Sequence, residues 1–429
     1  MRPDTMRILA LFLLVGCQPG TIGGAADPGS VGGEGEAEGQ GGVTGGRDGG
    51  GGGGADGGWI ADWGAGGTDD PEWPEEELLP AQFLTPSHVT MVDDTSVVVS
   101  WQGASETAAV VRYGIDPEDL HAVDSPSGTE HHVVLESLRP GTGYFYEVEV
   151  EGAVRKGVFV TPGSPTVRIV HLGEFHAPSE SESAGAFASV IRDFRPHLIV
   201  ESGDMVDDGE DMNHWTDYQR TSAAWISNAI LLPAHSNHVG DGEGISNMMS
   251  LFDMDSLWYS TRYGPVEVLS IRSDYFDEFD EQEAPWIREA ASLAHDGVDD
   301  PAFLLAAWHH PACSSNYSSR ADSREWVMEN IIDNLVEGGG VDMVLVGHDK
   351  YYERSTIEVM GAPSPIVHVM TNIGKISPGD PGDNHFKCTT EATELDDNST
   401  LLIEVNEDVL HARAVRSDGS LIDEFEIVR

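Results

Sequence analysis

The chain has 429 residues, enough for two or three domains, one of which can hold a large core. It carries 74 acidic against 23 basic residues, a formal net charge of -51, so it should repel nucleic acid and anionic membrane surfaces rather than bind them. Three cysteines in a chain of this length exclude a disulfide-dense scaffold.

In chain order, Arg2 and Arg7 precede a short apolar run, Ile8 to Val15, which has the size of a signal-peptide core and is too short to span a bilayer. The run ends in LVGC. Residues 1–17 thereby resemble a bacterial lipoprotein signal, in which Cys17 is lipidated and becomes the mature N-terminus. The alternative is an ordinary signal peptide with an incidental Cys17. Gln18 at the next position resembles the pattern sorted to an outer membrane. The expectation is an exported protein, lipid-anchored at the bacterial cell surface and meeting the membrane through that anchor only. Residues 18–79 are rich in glycine and then acidic, "GGVTGGRDGGGGGGADGG" followed by "TDDPEWPEEELLP". Such a segment cannot bury a core and reads as a disordered tether.

Over 80–163 short alternating strands follow, "SVVVSW", "AAVVRYG", "EHHVVLESL" and "YFYEVEVEG", at the spacing of a β-sandwich. "LRPGTGYFYEVEV", with Leu138, Pro140, Gly141, Thr142, Tyr144 and Tyr146, resembles the E–F corner of fibronectin type III domains. No reactive constellation lies here, so the region reads as a packing and spacing module. Over 164–429 apolar strands alternate with helices: "VRIVHL", "HLIVESG", "AILLPA", "FLLAAWHH" and "VDMVLVGH". Ser323 to Val336 reads as a helix with Val327, Met328, Ile331, Ile332 and Leu335 on one face, Ser323 as N-cap and Gly338 as stop. The C-terminus returns to strands, closing an α/β body of single-domain size.

Metal-ligating residue types recur just after five of these strands: Glu174 and His176; Asp204, Asp207 and Asp208; Asn237 and His238; His309 and His310; His348, Asp349 and Lys350. Residues beyond the C-terminal ends of strands gather at one edge of an α/β sheet. A single histidine at a strand end, such as His171, His197 or His235, is ordinarily a hydrogen-bonded loop residue; five clusters in order are a different signal. Carboxylate, imidazole and amide oxygen together suit iron, zinc or manganese. Two ions about 3.5–4 Å apart can lower the pKa of a bridging water and clamp a phosphate ester for in-line attack.

The series "GEFH", "GDMVDD", "SNHV", "HHP" and "GHDK" resembles the calcineurin-like metallophosphoesterases, and within them the purple acid phosphatase branch, over Pro80 to Arg429. That branch also has a fibronectin-like domain in front and "YERS" after the last motif, as in Tyr352 to Ser355. The resemblance implies an α/β metallophosphoesterase sandwich, two mixed β-sheets flanked by helices, behind an all-β sandwich. It implies hydrolysis of small phosphate monoesters outside the cytoplasm by a metal-activated hydroxide, with one or two ions bound. Asp204 matches the bridging carboxylate, and Asn237, His309 and His348 complete one metal pocket. In the other pocket Glu174 stands where the family has Asp, His176 matches a variant of the motif, and Lys350 replaces a histidine ligand. An ammonium offers donors only and cannot ligate. Asp207 occupies the place of the tyrosine that colours the purple enzymes, so no iron–tyrosinate band is expected; it is either a ligand or a surface carboxylate. His238 matches the histidine facing the scissile phosphate, a general acid worth typically about 10²–10⁴-fold.

Lys350 has three readings. It pairs with Glu174 and plugs a dead pocket, leaving a pseudoenzyme or surface binding protein. Or its charge replaces the missing cation in a one-metal hydrolase. Or two metals still bind, with Glu174 reaching and water filling the gap. The hydrolase is the leading reading, and a phosphodiesterase of the same superfamily is a further alternative. Cys313 and Cys388 are an even pair in an exported protein, which fits a disulfide; two free buried thiols are the alternative.

Overall fold

The alternating segments at the front become five strands in the computed structural model, which describes residues 70–429 apart from 76, 274–278, 298–299, 316–320, 375, 378–383 and 385–386. The signal segment with Cys17 and the tether up to residue 69 lie outside the described residues. The five are β1 (His88–Asp93), β2 (Ser96–Asp116), β3 (Asp119–Leu135), β4 (Gly143–Val150) and β5 (Ala153–Val160). Their pairings with one another are antiparallel, with β2 joined to β1, β3 and β4, and β4 to β5. "SVVVSW" and "AAVVRYG", read as separate strands, are continuous in β2, and "EHHVV" is the second half of β3. The register between β2 and β3 shifts between Gln102 and Thr107 and again before Ala109, so irregularities bend the long strands where the sequence suggests breaks. The Arg139 backbone N–H donates to Tyr144 Oη at 2.9 Å and ties the corner before β4.

The body behind it contains β6 (Val167–Leu172), β7 (Leu198–Glu201), β8 (Ile230–Pro233), β9 (Tyr259–Tyr263), β10 (Val266–Ser270), β11 (Phe303–Ala307) and β12 (Met343–Val346). It continues with β13 (Tyr352–Ile357), β14 (Ile366–Met370), β15 (Cys388–Glu394), β16 (Thr400–Val405), β17 (Val409–Val415) and β18 (Leu421–Val428). One sheet runs β18-β17-β16-β6-β7-β8 and continues through β1 into the front strands; the other runs β15-β13-β14-β12-β11-β10-β9. The strands β6, β7 and β8 are parallel, as are β10, β11, β12 and β14.

Period-2 alternation decides the layers. Val167 and Ile169 of β6, Leu198 and Val200 of β7, Phe303 and Leu305 of β11, and Met343 and Leu345 of β12 share one core cluster. Val170, Leu172 and Ile199 instead pack with Trp215, Tyr218 and Met248, which lie on helices Met212–Thr221 and Glu243–Leu251. Leu304, Ala306, Val344 and Val346 pack with Ile287, Val327 and Ile331 on the other side. Two mixed sheets with helices outside them are the result, each buried aliphatic side chain contributing about 1.5–3 kcal/mol. The helix read from Ser323 begins at Ala321, so Ser323 lies inside its first turn rather than capping it. It runs through a π segment, Met328–Ile332, to Glu337 and ends at Gly338, and all five residues of the expected face are buried.

Front strands and body share a polar seam. Tyr146 Oη donates to Ser227 O at 2.9 Å, and Val158 N–H donates to the same oxygen at 3.3 Å. Gly157 permits this approach: a Cβ there would lie 2.2 Å from Ser227 O and 2.4 Å from the Tyr146 ring. The tether also ends earlier than its composition suggests. Asp70 pairs with Arg168 at 2.7 Å and with His197 at 3.1 Å, Arg192 donates to Pro74 O at 2.7 Å, and Arg155 donates to Glu77 O at 2.9 Å. Three guanidinium groups thus fasten the last residues of the acidic stretch to the folded body.

Candidate metal centre

Each side chain of the centre projects from a loop at the C-terminal end of a parallel strand. Glu174 and His176 follow β6, Asp204 follows β7, Asn237 and His238 follow β8, His309 follows β11, and His348 and Lys350 follow β12. Three strands come from one sheet and two from the other, so the site straddles the edge where both sheets end. The turns are tight. Glu174, His176, Asp204 and His348 have φ of 60°, 53°, 51° and 75°, in the left-handed region that non-glycine residues enter at a cost of about 1–3 kcal/mol each. Gly203, with φ 99°, lets Asp204 be reached: a Cβ there would stand 2.6 Å from Ser236 Cβ and 2.8 Å from His309 Nδ1.

Asp204 is the hub. Its Oδ2 lies 3.3 Å from His309 Nε2, 3.5 Å from His176 Nε2 and 3.8 Å from His238 Nε2. Its backbone N–H donates to Ser236 Oγ at 2.8 Å. Burial opposes the charge of Asp204, but His309, His238 and His176 outweigh it and hold the carboxyl well below the usual carboxylate range. His309 Nδ1 donates to Ser202 O at 3.0 Å, which turns Nε2 toward Asp204 and to within 2.9 Å of His348 Nδ1.

Glu174 is fully buried and divided among several partners. Its Oε1 accepts the backbone N–H of His348, and its Oε2 lies 2.9 Å from His176 Nε2 and 4.0 Å from Lys350 Nζ. Burial disfavours a charge on His176, yet Glu174 and Asp204 outweigh it and raise the pKa, while Lys350 pulls it down. His176 Nδ1 lies 3.3 Å from Asp207 Oδ1, and that carboxylate accepts Ser179 N–H and Ser179 Oγ–H at 3.0 and 2.8 Å. Asp207 is therefore an anchored carboxylate behind His176, the arrangement that commonly orients a metal-ligating histidine. Its spacing in the sequence carried no sign of this, because Ser179 and His176 arrive from another strand.

The donor chemistry fits a metal ion. Glu174, Asp204, His309 and His348 offer ligand atoms all within 4.8 Å of one another, and so do His176, Asp204 and His238. Buried carboxylates facing imidazole nitrogens are a set suited to zinc, iron or manganese. Lys350 fits less well on the Glu174 side, since its ammonium competes with a cation for the same carboxylate. Asn237 is exposed beside His238, whereas His310, which follows His309 in the same cluster, is buried against His348. Cys313 and Cys388 form a disulfide with Cα atoms 5.9 Å apart. Next to it, Ser314 Oγ donates to Asp349 Oδ2 at 2.5 Å, and buried Glu353 accepts Tyr351 Oη–H and Ser315 N–H. Glu353 of "YERS" thus braces the loop between β12 and β13 that carries His348 and Lys350.

Comparison with known proteins bears on this geometry. Residues 85–166 match the family model described as "Purple acid Phosphatase, N-terminal domain". The whole architecture is similar to the solved purple acid phosphatase PPD1 from yellow lupin seeds, with a TM-score of 0.66 at 16% identity over 80% of this chain and 74% of that one. The fold is that of the purple acid phosphatases. A structure of PhoD is similar at TM-score 0.58 and 11% identity, over 82% of this chain and 90% of that one. Among curated proteins, "Probable purple acid phosphatase 20" of Arabidopsis thaliana is 20% identical over 67% of this chain and 70% of its own length. The "Uncharacterized protein Rv2577" of Mycobacterium tuberculosis is 24% identical over 54% of this chain, which spans about half, 52%, of that relative. Together these likenesses tie residues 85–166 to the N-terminal domain of purple acid phosphatases and give the chain a fold shared with them.

Proposed function

We propose that the protein hydrolyses phosphate monoesters outside the cytoplasm, with a metal held among Asp204, His309 and His348. The observation that carries this reading is the convergence of six ligand-type side chains, Glu174, His176, Asp204, His238, His309 and His348, from the ends of five strands onto one edge. A metal held there supplies Lewis acidity to phosphoryl oxygens and lowers the pKa of water.

The chain's own residues supply the rest. His238 Nδ1 donates to Asp207 O at 2.7 Å, which directs Nε2 into the site, and its side chain is 37% exposed and reachable by a substrate. In its protonated form Nε2–H can deliver a proton to the leaving oxygen, as general acid. Lys350, 31% exposed, presents its ammonium over Glu174 and can take up charge on phosphate oxygens. The contact between Lys350 and Glu174 also favours a second reading, a plugged pocket in a surface binding protein without turnover.

Further parts of the proposal concern the ends of the chain. The fibronectin type III-like reading of the front strands is supported by the hydrogen bond from Arg139 to Tyr144, which matches the tyrosine corner of such sandwiches. Lipidation at Cys17 and attachment to an outer membrane rest on LVGC and Gln18.

Protein purified without chelator should contain at least one equivalent of transition metal and hydrolyse an aryl phosphate faster than a bis-aryl diester. A preference for the diester moves the assignment to a phosphodiesterase. Metal-free protein without turnover on either ester ends the enzyme reading and leaves the binding protein.

A further inference from the structure

The resemblance supplies Asn237 as the fourth ligand of the first pocket, yet Asn237 is exposed. His310 is the residue that stands against the pocket's imidazoles. It is buried, with its ring centroid 4.3 Å from that of His348 and 5.0 Å from that of His309. The ligand atoms of His309, His310 and His348 all lie within 4.8 Å of one another. His310 is also held in place: its backbone N–H donates to Ser273 Oγ at 2.9 Å, its Nδ1 lies 3.1 Å from the same hydroxyl, and Trp308 Nε1 donates to its carbonyl at 2.7 Å. A hydrogen bond at one ring nitrogen selects the other as ligand and fixes the ring plane, here in favour of Nε2.

We propose that His310 is a metal ligand, forming with His309 and His348 a three-imidazole seat that takes over the place of Asn237. The inference rests on the metal-dependent reading above. It gives the replacement of histidine by Lys350 a counterpart. The set containing His310 and the set containing Glu174 and Asp204 share His309 and His348, and Glu174 is the carboxylate that faces the Lys350 ammonium. Cation repulsion from Lys350 acts on the Glu174 side and favours the imidazole side. Three imidazole nitrogens favour zinc, copper, nickel or iron over magnesium and calcium.

The test measures zinc affinity of the full chain by competition with a chromophoric chelator. His310→Gln should weaken zinc binding at least ~10-fold, Ser273→Ala by a smaller factor, and Asn237→Ala by less than about threefold. Melting of the metal-free proteins reports whether each variant folds. The inference is overturned if His310→Gln binds zinc like wild type while Asn237→Ala loses affinity. Should His310→Gln not fold, a zinc-loaded crystal structure of the wild-type chain decides. Zinc about 2.0–2.1 Å from His310 Nε2 supports the seat, and zinc on Asn237 with His310 outside bonding distance refutes it. Wild-type protein that binds no zinc or other transition metal sinks the metal-dependent reading itself, which is a different failure.

Discussion

The two halves of the centre are built differently. On one side, His309 is oriented by Ser202 O, Asp204 is oriented by Ser236 and the His238 backbone, and their remaining lone pairs face one another. On the other side, Glu174 is already occupied by the His348 backbone, His176 and Lys350, an acid surrounded by its bases. The first half is a carboxylate set among imidazoles; in the second a carboxylate also faces an ammonium. A ligand-type residue therefore informs about metal only together with the partner of its other atoms, as the Lys350 ammonium beside Glu174 shows.

Asp204→Asn should produce the largest effect, because both halves meet at this carboxylate. Bound metal should be lost and turnover should drop by about 10³-fold; retention of both would mean that the halves do not share it. Next, Lys350→His combined with Glu174→Asp should convert the ion-paired half into ligands and add one equivalent of metal, counted by elemental analysis. An unchanged count would show that the second half is closed for reasons beyond these two residues. His238→Ala should lower kcat by about 10²-fold on an aryl ester and more on an alkyl ester, with metal content intact. Equal losses on both leaving groups would remove the proton-donor role. Asp207→Asn should weaken metal binding by roughly 10-fold through His176, read by competition with a chelator.

Stability offers a contrast with histidines whose partners are all protein. Burial lowers His88 to about 4; burial and the neighbouring His368 lower His171 to about 3; burial lowers His368 to about 3. Their folded values lie below the unfolded value of about 6.5, so the stability present above pH 6.5 is lost as pH falls toward 4. Glu201 works in the opposite sense: burial, opposed by a hydrogen bond from Tyr218, raises it to about 8, so its contribution is full below its unfolded pKa of about 4.5 and is lost as pH rises. Between pH 6.5 and 4.5 three imidazoles outweigh one carboxyl, each changing stability by at most about 1.4 kcal/mol per pH unit. Metal-free protein should melt at a lower temperature at pH 4.5 than at pH 6.5, and a higher midpoint at pH 4.5 would contradict the buried neutral imidazoles.

The five strands that deliver the centre were legible because short apolar runs such as VRIVHL and VDMVLVGH end abruptly in ligand-type residues. The front strands were legible from alternation alone. Joining of two runs into β2 was not, since a bulge looks like a turn in sequence. The strands β9 and β10 carry Thr261, Arg262 and Glu267 among apolar residues and gave no clear period, and helix entry at Ala321 lacked a capping residue to mark it. Within the centre, residue types were readable, but partners were not. Asp207 behind His176 and His310 against His348 depend on contacts between residues that follow different strands. The end of the tether was hidden by its composition: acidic residues and prolines look solvated until Arg155, Arg168 and Arg192 are seen to hold them.

That fastening lies far from the centre. Asp70 is held by Arg168 and by His197, at the starts of β6 and β7, whereas the centre lies past the ends of the same strands. Six residues of extended chain put about 20 Å between the two. Tension along the preceding chain is thus delivered to the far edge of the sheet, through a guanidinium–carboxylate pair, and not to the loops that hold Glu174, Asp204 or His238.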